Sequence, residues 1–158
     1  MENASPFWSK LKAYCDKAER CHFDVKNKLF TWQVTVSMQG DLIARLIEKN
    51  LLNEERYALA YVHDHHEFKK WGRERIKMGL KRKRISDPLI VLALKSVTFS
   101  DERELLIQVA KRKWKSIQET HPIKKRNKLT RYLFNRGFDA QEIQKVLTNI
   151  TGAEDDEW

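Results

Sequence analysis

The sequence has little of what disulfide-rich, all-β and membrane-spanning proteins need. Its 158 residues include two cysteines, five glycines and three prolines. Two cysteines give no disulfide framework and are typical of a reducing compartment, and so few glycines and prolines disfavour an all-β fold with many tight turns. No apolar run reaches the roughly 18 residues of a membrane span, and residues 1–3 lack the basic start of a secretory signal. We therefore predict a helical protein of the cytoplasm.

The sequence also lacks the usual signatures of catalysis and metal binding. It has no glycine-rich phosphate loop, nucleophile elbow or paired catalytic carboxylates. The candidates for a metal site are Cys15, Cys21, His22, His63, His65 and His66. Two cysteines six positions apart point in different directions on a helix, and the histidines lack the carboxylate-and-histidine spacing of zinc sites. We predict no enzymatic activity, no metal and no cofactor.

What the chain does have is one helical pattern that occurs three times. The matching apolar positions are Val25, Ile76 and Leu129; Leu29, Leu80 and Leu133; Val34, Ile85 and Phe138; Leu42, Ala93 and Val146; Ile43, Leu94 and Leu147; and Leu46, Val97 and Ile150. A fixed internal period indicates repeats that each bury an apolar face partly against a neighbour. The sequence therefore predicts an all-α, elongated array of three tandem three-helix repeats. They cover residues 1–52, 53–99 and 100–151, and an acidic mobile tail follows at 152–158.

Helix-start and helix-end signals fit this division. Ser5 before Pro6, Asn53 before two glutamates, and the run Ser86-Asp87-Pro88 are typical of helix N-termini. Gly137 predicts a left-handed end for one helix, and Asp139 with Glu142 resembles a capping box for the next. The link 33–40, with its β-branched run and glycine, is the weakest stretch for helix. We predict helices at about 24–32, 39–49, 72–84 and 123–136.

Positive charge is concentrated in two blocks. The formal net charge is +9; nine basic residues lie between positions 69 and 84 against one acid, and ten lie between positions 111 and 136 against Glu119. Arg73, Lys77, Lys81 and Arg84 follow one another at steps of three or four and are predicted to share a helix face. Two such blocks at corresponding places favour contact with a polyanion or an acidic protein.

Aromatic residues accompany the basic blocks, and two interpretations of them are open. Trp71, Trp114, Tyr57, Tyr61 and Tyr132 could stack on the bases of a single-stranded nucleic acid. Tyr57, Tyr61 and Trp114 instead fit the apolar stripes, which favours a place in the core. Trp71 stands beside Gly72 in the basic block and could pack a helix corner or lie exposed.

Several segments resemble one protein family in the family's order. They are Cys21-His22-x-x-Val25-x-x-Lys28-Leu29, the run 51–58 (Leu-Leu-Asn-Glu-Glu-Arg-Tyr-Ala), Lys69-Lys70-Trp71-Gly72-Arg73 with Ile85-Ser86-Asp87, and the closing run from Lys128 to Leu147. Together they resemble the RecX family of regulators of the RecA recombinase, over about residues 6 to 150. The departure from the family pattern is the link at 34–40, which lacks the usual acidic helix start.

The resemblance implies a non-enzymatic modulator that lies in the groove of the RecA filament, and we expect the protein to be a monomer. It implies inhibition of ATP hydrolysis, strand exchange and filament extension, and through these an effect on DNA repair and the DNA-damage response. The basic residues expected to contact recombinase, or the phosphates of single- or double-stranded DNA, are Lys69, Lys70, Arg73, Lys77, Lys81, Arg82, Arg84, Lys124, Lys125, Lys128, Arg131 and Arg136. This requires the cations of successive repeats to lie along one edge.

The alternative is a free-standing DNA-binding protein with a helix-turn-helix in its last repeat. The final helix offers Gln141, Gln144, Lys145 and Asn149, which is a modest set for reading bases in the major groove.

Overall fold

The computed structural model describes the backbone of residues 6–155 and the side chains of residues 6–150. Within those residues it is all-helical, with nine α-helices and no strand, and the predicted fold class is confirmed. The helices are α1 (Pro6–Lys17), α2 (His22–Thr31), α3 (Val36–Glu48), α4 (Glu54–Glu67), α5 (Arg73–Arg82), α6 (Asp87–Leu94), α7 (Phe99–Ser116), α8 (Pro122–Asn135) and α9 (Ala140–Asp155). The predicted cap Ser5 and residues 156–158 lie outside the described residues.

The repeated apolar positions form the buried interior. Six of them are fully buried: Val25, Ile76 and Leu129 on one register, and Leu29, Leu80 and Leu133 four residues later. The other repeated positions are buried too, except Ile43 and Ile150, which are partly buried against hydrophobic clusters. Burial of a large aliphatic side chain contributes about 1.5–3 kcal/mol. The repeat read from the sequence therefore marks the residues that stabilise the fold.

The turn that follows the second helix of each repeat is also repeated. Gln33, Arg84 and Gly137 are left-handed, with φ of 59°, 61° and 100°. The next residue in each case donates its amide hydrogen back into the helix, from Val34 to Leu29, from Ile85 to Leu80 and from Phe138 to Leu133. This is a way of ending an α-helix that satisfies its last carbonyls. The predicted left-handed end at Gly137 is confirmed.

Some predicted helix starts are confirmed, and others differ from those observed. The Asn53 side chain accepts the Arg56 amide at 2.9 Å, and Asp139 accepts the amides of Gln141 and Glu142. The predicted start of α3 at about residue 39 was wrong, because the Thr35 hydroxyl caps the Met38 amide and helix begins at Val36. At the other end, α9 runs to Asp155, so helical backbone extends into the predicted tail.

In the second and third repeats, a glutamate near the start of the first helix caps the second helix of the preceding repeat. Glu54 of α4 accepts the backbone amide of His22, the first residue of α2, at 3.0 Å. Glu102 of α7 accepts the backbone amide of Arg73, the first residue of α5, at 2.9 Å. A carboxylate is favourable here, because the first amides of a helix lack partners within the helix and carry partial positive charge. These two hydrogen bonds join successive repeats.

The chain forms two compact units. Unit 1 contains the residues up to Tyr61 together with Leu80–Ala93, and unit 2 contains Val62–Gly79 together with the residues from Leu94 onward. One hydrophobic cluster in unit 1 is built from α1, α2 and α3 around Leu11, Leu29 and Leu46. In unit 2 the helices α7, α8 and α9 pack around Leu106, Leu133 and Ile143.

Within unit 2 the backbone crosses itself closely at two glycines. The Gly72 amide donates to the Arg136 carbonyl at 2.8 Å, and the Glu74 amide donates to the Gly137 carbonyl at 3.0 Å. A Cβ at Gly72 would lie 2.8 Å from the Phe138 ring and would overlap the Gly137 carbonyl. The crossing therefore ties the start of α5 to the end of α8, and it excludes side chains at both glycines.

Candidate interface of basic helices

Arg73, predicted as a contact residue, is used inside unit 2. Its guanidinium donates to the carbonyl of Leu94 at 3.0 Å and to that of Val97 at 2.8 Å. These carbonyls lie at and just beyond the end of α6, where carbonyls have no partner within a helix. The Arg73 guanidinium therefore stabilises a helix end within unit 2.

Replacing Arg73 with alanine is expected to lower the free energy of unfolding by about 1–3 kcal/mol, because two carbonyls lose a charged donor. Replacing Lys77, which has no ion-pair partner among the described residues, is expected to change it by less than about 0.5 kcal/mol. Urea unfolding of the two variants measures the difference. Equal stabilities would show that the Arg73 hydrogen bonds contribute nothing.

Trp71 packs at the corner between α4 and α5. Its ring lies 4.6 Å from the His65 ring and 4.0 Å from the Arg75 guanidinium, with the Lys69 ammonium at 5.5 Å. Its backbone amide donates to the His65 carbonyl at 3.0 Å. Of the two interpretations left open by the sequence, the structure therefore favours packing over free exposure. Lys69 keeps an exposed side chain.

The cations after Arg73 do not share the predicted single face. Helix α5 ends at Arg82, and Arg84 lies beyond it in left-handed backbone, with its guanidinium 5.5 Å from the Phe23 ring. That prediction was wrong, because the helix turns back after Arg82 to bury Ile85. Lys77 is half-buried, whereas Lys81 and Arg82 are exposed and pair with no described carboxylate.

Lys83, which was not among the predicted contact residues, is a structural residue of unit 1. Its ammonium donates to Asp24 at 2.7 Å, and this hydrogen bond raises the pKa of Lys83.

Three of the predicted cations of α8 form a stripe on one face of the helix. Lys124, Lys128 and Arg131 are spaced four and three residues apart, which places them on one side of a helix, and all are exposed. Lys128 lies 3.3 Å from Glu119, an ion pair open to solvent, and Lys124 and Arg131 pair with no described carboxylate. We call these three residues the α8 stripe. Lys125 lies beside it, with its ammonium 4.1 Å from the Trp114 ring.

Arg136 is largely a structural residue. Its Nη2 donates to the carbonyls of Lys69 and Lys70, the second at 3.2 Å. Its Nε is buried and has no hydrogen-bond partner. The guanidinium is therefore held rigidly where α8 ends, and one of its donors remains unused.

A groove beside α8 brings together four cations, two of which were not among the predicted contact residues. It has a volume of about 520 Å³ and lies between α7 and α8, and we call it the α7–α8 groove. Its lining includes Lys70 and Arg136, which were predicted, and Arg112 and Lys113, which were missed. The signal that could have found it is the four-residue spacing of Gln108, Arg112 and Ser116, a polar stripe along α7.

The remaining candidates are mainly structural. Tyr57 is buried and packs against Tyr61, while Trp114 packs against the core of unit 2. Cys21 is buried, and burial raises the pKa of its thiol to about 11.

Among the described residues, no three His, Cys, Asp or Glu side chains are grouped to hold a metal ion. No described helix combines the length and apolar character needed to cross a membrane.

Comparison with family models identifies two of the repeats. Residues 53–94 match the model of the second three-helix domain of RecX, and residues 101–147 match that of its third three-helix domain.

Relatives of known sequence give the same result over most of the chain. The chain is 31% identical to a regulatory protein RecX from Clostridium perfringens over 122 residues, or 73% of this chain and 57% of that protein. It is 28% identical to the Clostridium acetobutylicum protein of that name, over 90% of this chain and 67% of the relative. The chain thus spans about 57% of the length of the first of these relatives.

Solved structures share the fold. The crystal structure of RecX from Lactobacillus salivarius superposes with a TM-score of 0.79 at 23% identity, over 91% of this chain and 94% of that one. A second crystal structure, of a regulatory protein RecX, superposes with a TM-score of 0.81 at 20% identity, over 88% of this chain and 70% of that one. With two family models and relatives matching along most of its length, the chain belongs to the RecX family of regulatory proteins.

Proposed function

We propose that this protein is a non-enzymatic regulator that binds the RecA nucleoprotein filament and inhibits its ATP hydrolysis, strand exchange and extension. Membership of a family of regulatory proteins supports the regulatory part of the proposal. The observation that carries the contact is the α8 stripe, three exposed cations on one helix face. Point charges of this kind hold a partner to acidic protein or to phosphate without reading sequence.

A second set of cations supports the same proposal from unit 1. Lys81 and Arg82 end α5 and are exposed, and no described carboxylate pairs with them. A filament repeats its surface at regular intervals, and a protein with more than one cationic surface gains affinity when two are engaged at once. Arg73 and Arg136 contribute indirectly, by holding helix ends in place.

The test is the ATPase rate of RecA on single-stranded DNA, and the length of its filaments, with and without this protein. We expect both to fall. The charge-reversed triple variant Lys124→Glu, Lys128→Glu, Arg131→Glu is expected to lose most of the effect. The control triple Lys12→Glu, Lys26→Glu, Lys95→Glu has the same charge change at other exposed lysines and should inhibit like the unmodified protein.

Two outcomes would contradict the proposal. Strong, sequence-dependent binding to naked DNA with an unaffected recombinase would favour the helix-turn-helix alternative. Equal inhibition by both triple variants would place the contact away from the α8 stripe.

A further inference from the structure

The α7–α8 groove differs in charge from another groove of unit 2. A groove of about 400 Å³ beside α9 is lined by Glu102, Asp139 and Glu142 against the single cation Arg103. The α7–α8 groove, of about 520 Å³, is lined by four cations and, among the described residues, by no acid. The two grooves belong to the same unit, so the contrast is local and is not a consequence of the net charge of the chain. The charge of the α7–α8 groove favours an anionic ligand.

The cations of this groove come from three separate segments and surround a shared space. Arg112 and Lys113 belong to α7, Arg136 follows α8, and Lys70 precedes α5. Arg136 is fixed by its hydrogen bonds to the carbonyls of Lys69 and Lys70 and keeps a buried Nε without a partner. Arg112 is exposed and makes no ion pair with a described residue. Part of the groove is thus preorganised, and part is free to close on a ligand.

The spacing of charge indicates which kind of anion fits. The volume lies within the range of small-ligand sites, roughly 300–1,000 Å³. Because the cations lie on different sides of this space, they match a ligand with several negative charges better than one with a single charge. The planar guanidinium of Arg112 can donate to two oxygens of one phosphate. The Tyr132 ring is covered by the Lys113 ammonium at 4.5 Å, which leaves that face less accessible to a stacked base.

We propose that the α7–α8 groove is a binding site for consecutive phosphate groups, supplied either by a free nucleotide or by a nucleic-acid strand. Arg112 and Lys70 contact the phosphates, and Lys113 and Arg136 supply fixed positive charge. The site requires no recombinase, so it stands or falls separately from the proposed inhibition of RecA.

The test is isothermal titration of the full chain with three probes: inorganic triphosphate, ATP and a short thymidine oligonucleotide. We expect inorganic triphosphate to bind and to compete with whichever larger probe binds. Arg112→Glu is expected to weaken binding about tenfold or more, as loss of a charge-assisted contact does. Lys111→Glu is the matched control, because Lys111 is the preceding exposed residue of α7 and does not line the groove. Lys70→Glu is a second groove variant, which removes a cation from another segment.

The outcomes separate the two sources and the alternatives. Binding of ATP would identify a nucleotide site. Binding of the oligonucleotide and not of ATP, with competition by triphosphate, would identify a site for a nucleic-acid strand. Both outcomes support the inference. No binding of triphosphate would overturn it, as would equal losses in Arg112→Glu and Lys111→Glu. Unfolding midpoints of the variants are measured in parallel, and the Lys70 variant decides the matter if Arg112→Glu is unstable.

Discussion

Replacing Gly137 with alanine is expected to lower the free energy of unfolding of unit 2 by roughly 2–5 kcal/mol, because the cost of left-handed backbone adds to the cost of overpacking. At φ of 100° an L residue is strained. A Cβ there would lie 2.6 Å from the Arg75 amide nitrogen and 2.9 Å from the Gly72 carbonyl oxygen. Both neighbours are backbone atoms that cannot rotate away, and moving them would break the hydrogen bonds between the start of α5 and the end of α8. Urea unfolding followed by tryptophan fluorescence and circular dichroism measures the loss.

Glycine at position 40 provides the matched control. It lies inside α3, and a Cβ built on it meets no atom within 4 Å. Gly40→Ala should therefore raise the free energy of unfolding by about 0.5–1 kcal/mol, through helix propensity alone. Gly72→Ala is expected to resemble the Gly137 variant, because its Cβ would meet Gly137 backbone. A Gly137→Ala variant as stable as the unmodified protein would mean that the close crossing of α5 and α8 is not required.

The triple variant Lys124→Glu, Lys128→Glu, Arg131→Glu is expected to bind DNA, or the RecA–DNA filament, with a markedly smaller dependence on salt. A basic residue that neutralises a phosphate releases a counterion, so its removal lowers the slope of log affinity against log salt by about one. Loss of three such contacts lowers the slope by about three, and affinity at low salt falls by orders of magnitude. Fluorescence anisotropy with labelled DNA, from about 50 to 200 mM salt, measures both quantities.

The control for this experiment is the triple Lys12→Glu, Lys26→Glu, Lys95→Glu, which changes the net charge equally. If both triples lower the slope alike, the effect comes from overall charge and the α8 stripe has no special role. If neither does, and the slope of the unmodified protein is flat, the contact is with protein alone. Helical content by circular dichroism should be unchanged in both variants, because all six lysines and arginines are exposed.

The buried interior could be predicted from the sequence because it depends on local periodicity. Ile76 and Leu80 were expected to point inward on α5, and both are fully buried. The start of α3 could not be placed, because the β-branched residues 34–36 disfavour helix, while the Thr35 hydroxyl supplies a cap that offsets this. The repeat boundaries at residues 52 and 99, the mobility of the tail and the alignment of cations along one edge stay predictions.

The separate roles of the basic residues could not be predicted, because they depend on partners distant in sequence. Arg73 donates to carbonyls more than twenty positions away, and Arg136 donates to carbonyls more than sixty positions away. Sequence spacing therefore grouped both with Lys81 and Lys124, although only the latter two are open to solvent. Arg112 was missed for a related reason: the cations that share its groove come from three segments of the chain, and the local signal for it was limited to the four-residue spacing of Gln108, Arg112 and Ser116.

The glutamates that cap the preceding repeat give the array a direction. Helices α2 and α5 each depend on a carboxylate from a later repeat, whereas α8 starts with Pro122, which has no amide hydrogen, and is capped by its own His121 side chain. Either cut divides one of the compact units, but the effect on capping differs: cutting after residue 95 would remove the Glu102 cap from the retained helix α5, whereas cutting before residue 53 would remove α2 together with its contact to Glu54.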